Sequence, residues 1–291
     1  MKFYIHNEVL DIGIEKKGAE LKRVFRKDKR QEYLWPGDTS SWNRSSPILF
    51  PIVGRLKDDK FFYKNREYKL SQHGFARDSY FEIKERTENA ITFLLESTAN
   101  TLKVYPWNFE LQVKYELDRN LLKIEHKVTN TSKENMYYSL GIHPAFRWPL
   151  HDEEDQSDYS LKFDRENSLQ RTFLSDGLQS IRTENVNNLV GSELNLRPDL
   201  FENDALVIKD VSSSKIIYCS QKKGGSELEI GWEECPYLGI WSKAQANFIC
   251  IEPWQGIADT EIGVTDISKK EGIRMLEPGR SGFLRWYLKM K

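Results

Sequence analysis

FELQVKYEL, residues 109–117, sets Phe109, Leu111, Val113, Tyr115 and Leu117 on every second position. Successive side chains of a strand point to opposite faces, so this alternation is that of a half-buried strand. Working outward, Ile91, Phe93 and Leu95 repeat it upstream, and Leu122, Ile124 and Val128 repeat it downstream, before the turn-like TNTSKEN. Near the end, SGFLRWYLKM reads as another strand after the turn EPGR, and KKGGSE reads as a hairpin turn. Helical pattern is scarce; the best short candidate is RPDLFEND, with Pro198 near a possible first turn. Short strands separated by polar turns predict an all-β fold with a large antiparallel architecture and few short helices.

At 291 residues, length alone leaves one large domain or two modest ones open. No Gly/Ser-rich linker, low-complexity block or internal repeat marks a division. Charged residues are 30% of the chain and hydrophobic ones 39%, an ordinary soluble composition. A net charge of −1 leaves no electrostatic footprint for nucleic acid or anionic lipid. The first residues lack the apolar core of a signal peptide, and no stretch approaches the ~20 apolar residues of a membrane span. Three cysteines without a CxxC pair argue against a disulfide framework or a cysteine-rich zinc site. A reduced, cytoplasmic protein is the expectation. The NRS at Asn43 and NTS at Asn130 then read as chance glycosylation patterns, and HDEEDQSDYS as a solvated loop.

Few residues are candidates for chemistry. Of five histidines, His6 and His151 sit in polar or terminal context, and His126 shares the core phase of Ile124 and Val128. His143, in YYSLGIHPAFRWP, stands where a strand-like run meets Gly, Pro and the aromatics Tyr138, Phe146 and Trp148. It is either a strand cap or part of a sugar pocket, in which aromatic faces pack on the pyranose and polar groups take its hydroxyls. His73, in SQHGFARDSYFE, is open between packing and proton transfer. In NFICIEPWQG, alternation puts Phe248, Cys250 and Glu252 on one face and Ile249 and Ile251 on the other. A carboxylate ending such an apolar run is partly desolvated, which raises its pKa and suits a general base; the alternative is an edge glutamate paired with Lys or Arg. Arg55, after PILFPIVG, is a surface arginine or a fork for substrate oxygens. Asp204, in LFENDALVI, is a turn or cap aspartate or a site acid. No G-x-S-x-G elbow, GxxxxGK[ST] loop or GxGxxG fingerprint occurs.

The pieces SSPILFPIVGRL, LSQHGFARDSYFE, GIHPAFRWP, LFENDALVI and ICIEPWQG, in this order from about Trp42 to Gly256, resemble the aldose 1-epimerase (galactose mutarotase) superfamily, most closely its LacX-type branch. The resemblance implies one domain over 1–291, a galactose mutarotase-like β-supersandwich with its site in a concave groove. It implies interconversion of the α and β anomers of a hexose, with no metal or organic cofactor. Glu252 takes the general-base position, His143 the general-acid position, and His73 that of a second histidine on the ring-oxygen side. Arg55 and Asp204 match positions that hold hydroxyls. After Arg55 the chain reads LKDDKFF, and after His73 it reads GFAR, both departures from typical galactose mutarotases. HGFAR also occurs in a branch acting on hexose 6-phosphates, where Arg77 could meet the phosphate together with Arg55; an exposed salt bridge to Asp78 or Glu82 is the alternative. Two other functions stand beside these: a non-catalytic carbohydrate-binding protein, and a metal hydrolase using His73, His143, Asp204 and Glu252. The expected partner is a small sugar, a hexose or hexose phosphate, and a homodimer is possible.

Overall fold

The computed structural model describes residues 1–222, 225–263 and 266–291. FELQVKYEL lies within the strand Phe109–Asp118, buried at alternate positions in the phase its sequence predicts. That strand pairs antiparallel with Leu121–Asn130 on one side and Ala90–Glu96 on the other, and Ser281–Met290 adds beyond Leu121–Asn130. Among the described residues these belong to a ten-stranded sheet. Lys223 and Gly224 of the KKGGSE turn lie outside the described residues; its flanking strands, Lys215–Ser220 and Gly225–Trp232, pair antiparallel in the same sheet.

A second, eight-stranded sheet runs in the order Leu178–Asn185, Gln170–Ser175, Leu206–Lys209, Tyr237–Trp241, Phe248–Trp254, Gly141–Ile142 and Ile48–Leu49, with Ala145–Arg147 also paired to Phe248–Trp254. Leu111 and Val113 of the larger sheet share one core cluster with Leu238, Ile240, Ile249 and Ile251 of the smaller one. The two sheets therefore pack face to face as a large antiparallel β-sandwich. Each such side chain gains ~1.5–3 kcal/mol on burial, so a one-residue slip of Phe248–Trp254 would forfeit Ile249 and Ile251 together. The same core cluster runs from Ile5 to Met290.

Among the described residues, helix is confined to Thr101–Val104 and short 3₁₀ turns, one of them Pro198–Phe201 in RPDLFEND with proline in its first turn. HDEEDQSDYS is a turn with Asp152, Glu153, Asp155 and Ser157 exposed, and it departs from a solvated loop at Glu154 and at its end. Tyr159 opens a strand of the larger sheet, and its hydroxyl together with Ser220 Oγ (2.7 Å) donates to the buried Glu154 carboxylate. Asn130 is fully buried and donates to the Glu134 and Leu276 carbonyls at 2.8 Å, so its NTS pattern serves a turn. No helix of the described residues is long and apolar enough to cross a membrane.

His126 points into the core opposite Leu284, 1% exposed, with Nδ1 unpartnered. Burial pushes its pKa down to about 4. The unfolded imidazole takes its proton near pH ~6.5, so the stability this neutral ring confers is complete above that pH and is lost as the pH falls towards 4. His126→Leu should remove up to ~3 kcal/mol of that loss. Urea unfolding of both proteins at a series of pH values checks this; equal losses in both would refute it.

Candidate active site

The face of Phe248–Trp254 that turns away from the core carries Phe248, Cys250, Glu252 and Trp254, and Glu252 is 1% exposed. Glu252 lies in register with Gly239 on the neighbouring strand. A Cβ on Gly239 would stand 2.5 Å from the Trp254 indole, and one on Gly141 2.8 Å from it. The two glycines thus leave room for the Trp254 ring beside Glu252.

On the other side of Glu252, the pairs Gly141–Trp254 and Ala145–Cys250 bracket His143, which the antiparallel register sets opposite Glu252 on the same face. Their side chains meet, His143 Nε2 lying 3.2 Å from Glu252 Oε2. The expected Lys or Arg partner of Glu252 is replaced by an imidazole. His143 stacks on Trp42 at 4.9 Å and meets the edge of Trp241 at 5.8 Å. Tyr138, Phe146 and Trp148, the expected ring around it, are buried in the sandwich core instead. Phe146 follows Ala145, which faces the site side, so alternation sends the phenylalanine inward.

His73 approaches from a loop, its ring centroid 5.9 Å from that of His143. Its backbone is left-handed (φ 65°) and so is that of Gly74 (φ 68°). Only glycine fits at residue 74, because a Cβ there would lie 2.3 Å from the Phe50 carbonyl oxygen. His73 Nδ1 accepts the Gly54 N–H at 3.1 Å, which leaves the ring proton on Nε2. Burial, and after it the charges at His143, Arg77 and Arg44, hold this imidazole well below its ordinary pKa. His73 therefore stands as a neutral donor.

Burial, reinforced by the Asp204 carboxylate, pushes the Glu252 pKa well above the usual range, with a small opposing pull from Trp254. Burial also drives the His143 pKa down, helped by Arg77 and Arg44. Both shifts disfavour the charged forms and lean the pair towards a carboxyl facing a neutral imidazole. The groups act as one coupled unit.

His73, His143, Glu252, Asp204 and Arg77 line one cavity of about 250 Å³. Asp204 is a turn residue as well (φ 67°), its Oδ1 accepting the Ala205 N–H at 2.8 Å, while Arg171 holds the Asn203 carbonyl at 2.8 Å. Arg77 donates to the Gln72 carbonyl at 2.7 Å, and its buried Nε lies 3.8 Å from Asp78 Oδ2 without forming a hydrogen bond. Glu82 pairs with Lys16 instead. Arg55 is absent from the cavity lining: its fork is held by Asp59 at 2.9 and 3.0 Å and by the Asp176 carbonyl at 3.0 Å. The cation that acts on Arg77 is Arg44, not Arg55. Arg44, Trp42, Trp241 and Trp254 escaped the sequence reading; the local signals were that Trp42 and Arg44 adjoin SSPILFPIVGRL and that Trp254 lies within ICIEPWQG. Three larger clefts among the described residues, about 530, 640 and 320 Å³, lie elsewhere. In the first, Arg285 pairs with two of the carboxylates beside it, Glu125 at 2.6 Å and Glu233 at 3.4 Å. Among the described residues, the group with metal-holding spacing is His143, Cys250 and Glu252; His73 and Asp204, expected as ligands of a hydrolytic metal, stand outside it.

The aldose 1-epimerase family model matches residues 2–264. Protein LacX of Lactococcus lactis, the plasmid form, is 35% identical over 269 residues, 89% of either chain. The crystal structure of a galactose mutarotase related enzyme from Lactobacillus acidophilus superposes with a TM-score of 0.93 at 34% identity, over 100% of this chain and 97% of that one. A galactose mutarotase-like protein from Lactobacillus casei gives 0.93 at 32% identity over 100% of both.

The close packing of the cavity wall is open to test at Gly54. Its φ is 76°, and a Cβ would lie 2.5 Å from Ala258 Cα. Gly54→Ala should cost ~1–3 kcal/mol in urea unfolding; a variant as stable as the parent would contradict the tight approach.

Proposed function

The chain belongs to the aldose 1-epimerase family, and from that premise we propose that it interconverts the α and β anomers of a hexose by general acid/base ring opening and reclosure. The observation that carries this reading is the meeting of His143 and Glu252 at 3.2 Å on the wall of a cavity that His73 also lines. Opening a hemiacetal takes the proton from O1 and gives one to the ring oxygen. Glu252 as carboxylate removes the first, and His143 as imidazolium supplies the second. The open aldehyde turns about C1–C2 and recloses on its other face, with the two residues in exchanged roles.

The pair needs one proton in total. Carboxylate with imidazolium precedes ring opening, and carboxyl with imidazole follows it. The shifts of the free site favour the second arrangement, and the short Oε2–Nε2 contact links the two. His73 Nε2–H is free to donate to the ring-oxygen side, because its Nδ1 is occupied by Gly54. Asp204 takes a sugar hydroxyl, and Trp42 and Trp241 offer aromatic faces to the pyranose C–H groups. Arg55, held by Asp59, shapes the rim.

A positioned acid or base contributes ~10²–10⁴-fold. Glu252→Gln should therefore slow exchange of pure α-glucose or α-galactose by about that factor while saturable sugar binding persists. Polarimetry and calorimetry on the same samples check both halves. A fully active variant removes Glu252 from this role; binding without acceleration over buffer, in the unmutated protein, makes it a sugar-binding protein.

A second reading, a hexose 6-phosphate as substrate, is favoured by Arg77, whose buried Nε makes no hydrogen bond at a cavity wall near Arg44, Asp78 Oδ2 lying 3.8 Å away. A charge-assisted hydrogen bond is worth ~1.5–3 kcal/mol, so Arg77→Leu should raise KM for the 6-phosphate roughly 10–100-fold and that of the free sugar far less. Equal effects on both sugars would remove the phosphate.

A further inference from the structure

Cys250 has no part in the proposed acid/base chemistry, yet it faces the same side of the strand as Glu252, two residues away, and is fully buried. The thiol, the carboxylate and the imidazole of His143 offer one ligand atom each, all within 4.8 Å of one another. We propose that Cys250, His143 and Glu252 form a binding site for a thiophilic divalent cation, with Zn²⁺ the best match, and that its occupancy silences the acid/base pair.

The geometry suits that ion. Zinc–ligand bonds of ~2.0–2.3 Å in a tetrahedron hold the ligand atoms roughly 3.3–3.8 Å apart. His143 Nε2 and Glu252 Oε2 already stand at 3.2 Å, and the thiol, within 4.8 Å of both ligand atoms, has at most about 1 Å to close. Three protein ligands leave a fourth position open towards the cavity that His143 and Glu252 line. A second, independent observation points to a ligand. Glu252 Oε2 belongs to a side chain that is 2% exposed, and it faces His143 without forming a hydrogen bond to any protein group. An unsatisfied buried oxygen is costly, and a cation would satisfy it.

Charge and softness narrow the choice. Thiolate and carboxylate cancel a dication, and with a neutral imidazole the buried cluster carries no net charge, the arrangement a low-dielectric site tolerates. The thiol and the carboxyl each release one proton to solvent as the ion enters, while His143 binds through a lone pair. Sulfur favours zinc and its neighbours over magnesium and calcium. The bound ion occupies the lone pairs that would take and give protons to the sugar, so it acts as an inhibitor. That inhibitory consequence rests on the anomer-exchange reading; the binding does not.

The test uses the whole protein freed of metal by chelation, with Co²⁺ as spectroscopic probe and Zn²⁺ as competitor. One equivalent of Co²⁺ should produce a near-ultraviolet thiolate-to-cobalt band that Zn²⁺ abolishes. Cys250→Ser should lack the band, as should Cys250→Ala, each first shown to unfold cooperatively; Cys235→Ser should keep it. Zn²⁺ should block anomer exchange, and the Cys250 variants, each measured against its own uninhibited rate, should need at least roughly tenfold more of it. Absence of the band, or equal Zn²⁺ sensitivity with and without the thiol, overturns the site. The band without any anomer exchange upholds the site and removes the catalytic reading instead.

Discussion

The contact between the Glu252 carboxyl and the His143 imidazole, 3.2 Å apart with side chains 2% and 12% exposed, constrains its whole neighbourhood. Each group alone would resist its charged form so far from water, and both shift accordingly, Glu252 upward and His143 downward. Together they can carry one proton on either member with no change of net charge. In a low-dielectric site that is the inexpensive way to move a proton, since the charged arrangement is an adjacent pair rather than an isolated ion. The proposed ring opening uses this property, and the proposed cation site uses the same dryness with a thiolate added.

The scaffold around the pair is arranged to hold it still. Antiparallel register sets His143 opposite Glu252, and apolar burial on the reverse face fixes that register. Buried charges fasten the loops. Glu20 accepts the Ser45 and Ser46 N–H groups at 2.5 and 3.1 Å, anchoring the segment that brings Trp42 onto His143. Lys270 and Asp259, 1% and 3% exposed and 3.1 Å apart, support the stretch that carries Ile257 and Ala258 into the cavity wall. Removing one member of such a pair would cost ~3–5 kcal/mol, although the intact pair adds little to net stability.

Residues whose role follows from local period were legible before any coordinates. His126 was placed in the core by its spacing from Ile124 and Val128, and it is there. Glu252 and Cys250 were placed opposite Ile249 and Ile251, and they are. The aromatic surroundings of His143 were misjudged because sequence neighbours stood in for spatial ones: Phe146 and Trp148 face the core, while Trp42 and Trp241 arrive from distant segments. The choice left open at Arg55, surface arginine or substrate fork, is beyond local context for a related reason, since nothing there announces that Asp59 engages its fork.

By itself the sequence determined the β class and the alternation that sets Glu252 and Cys250 opposite Ile249 and Ile251, because a strand's side-chain period is two and a core face must be apolar. Tertiary structure alone decided that His143 meets Glu252, that Trp42 and Trp241 flank the imidazole, that Arg44 rather than Arg55 accompanies Arg77, and that Cys250 lies within reach of both proton carriers. Those facts depend on which strands pair and how loops close over long separations. Such choices are made by packing across the whole sandwich, and no local period records them.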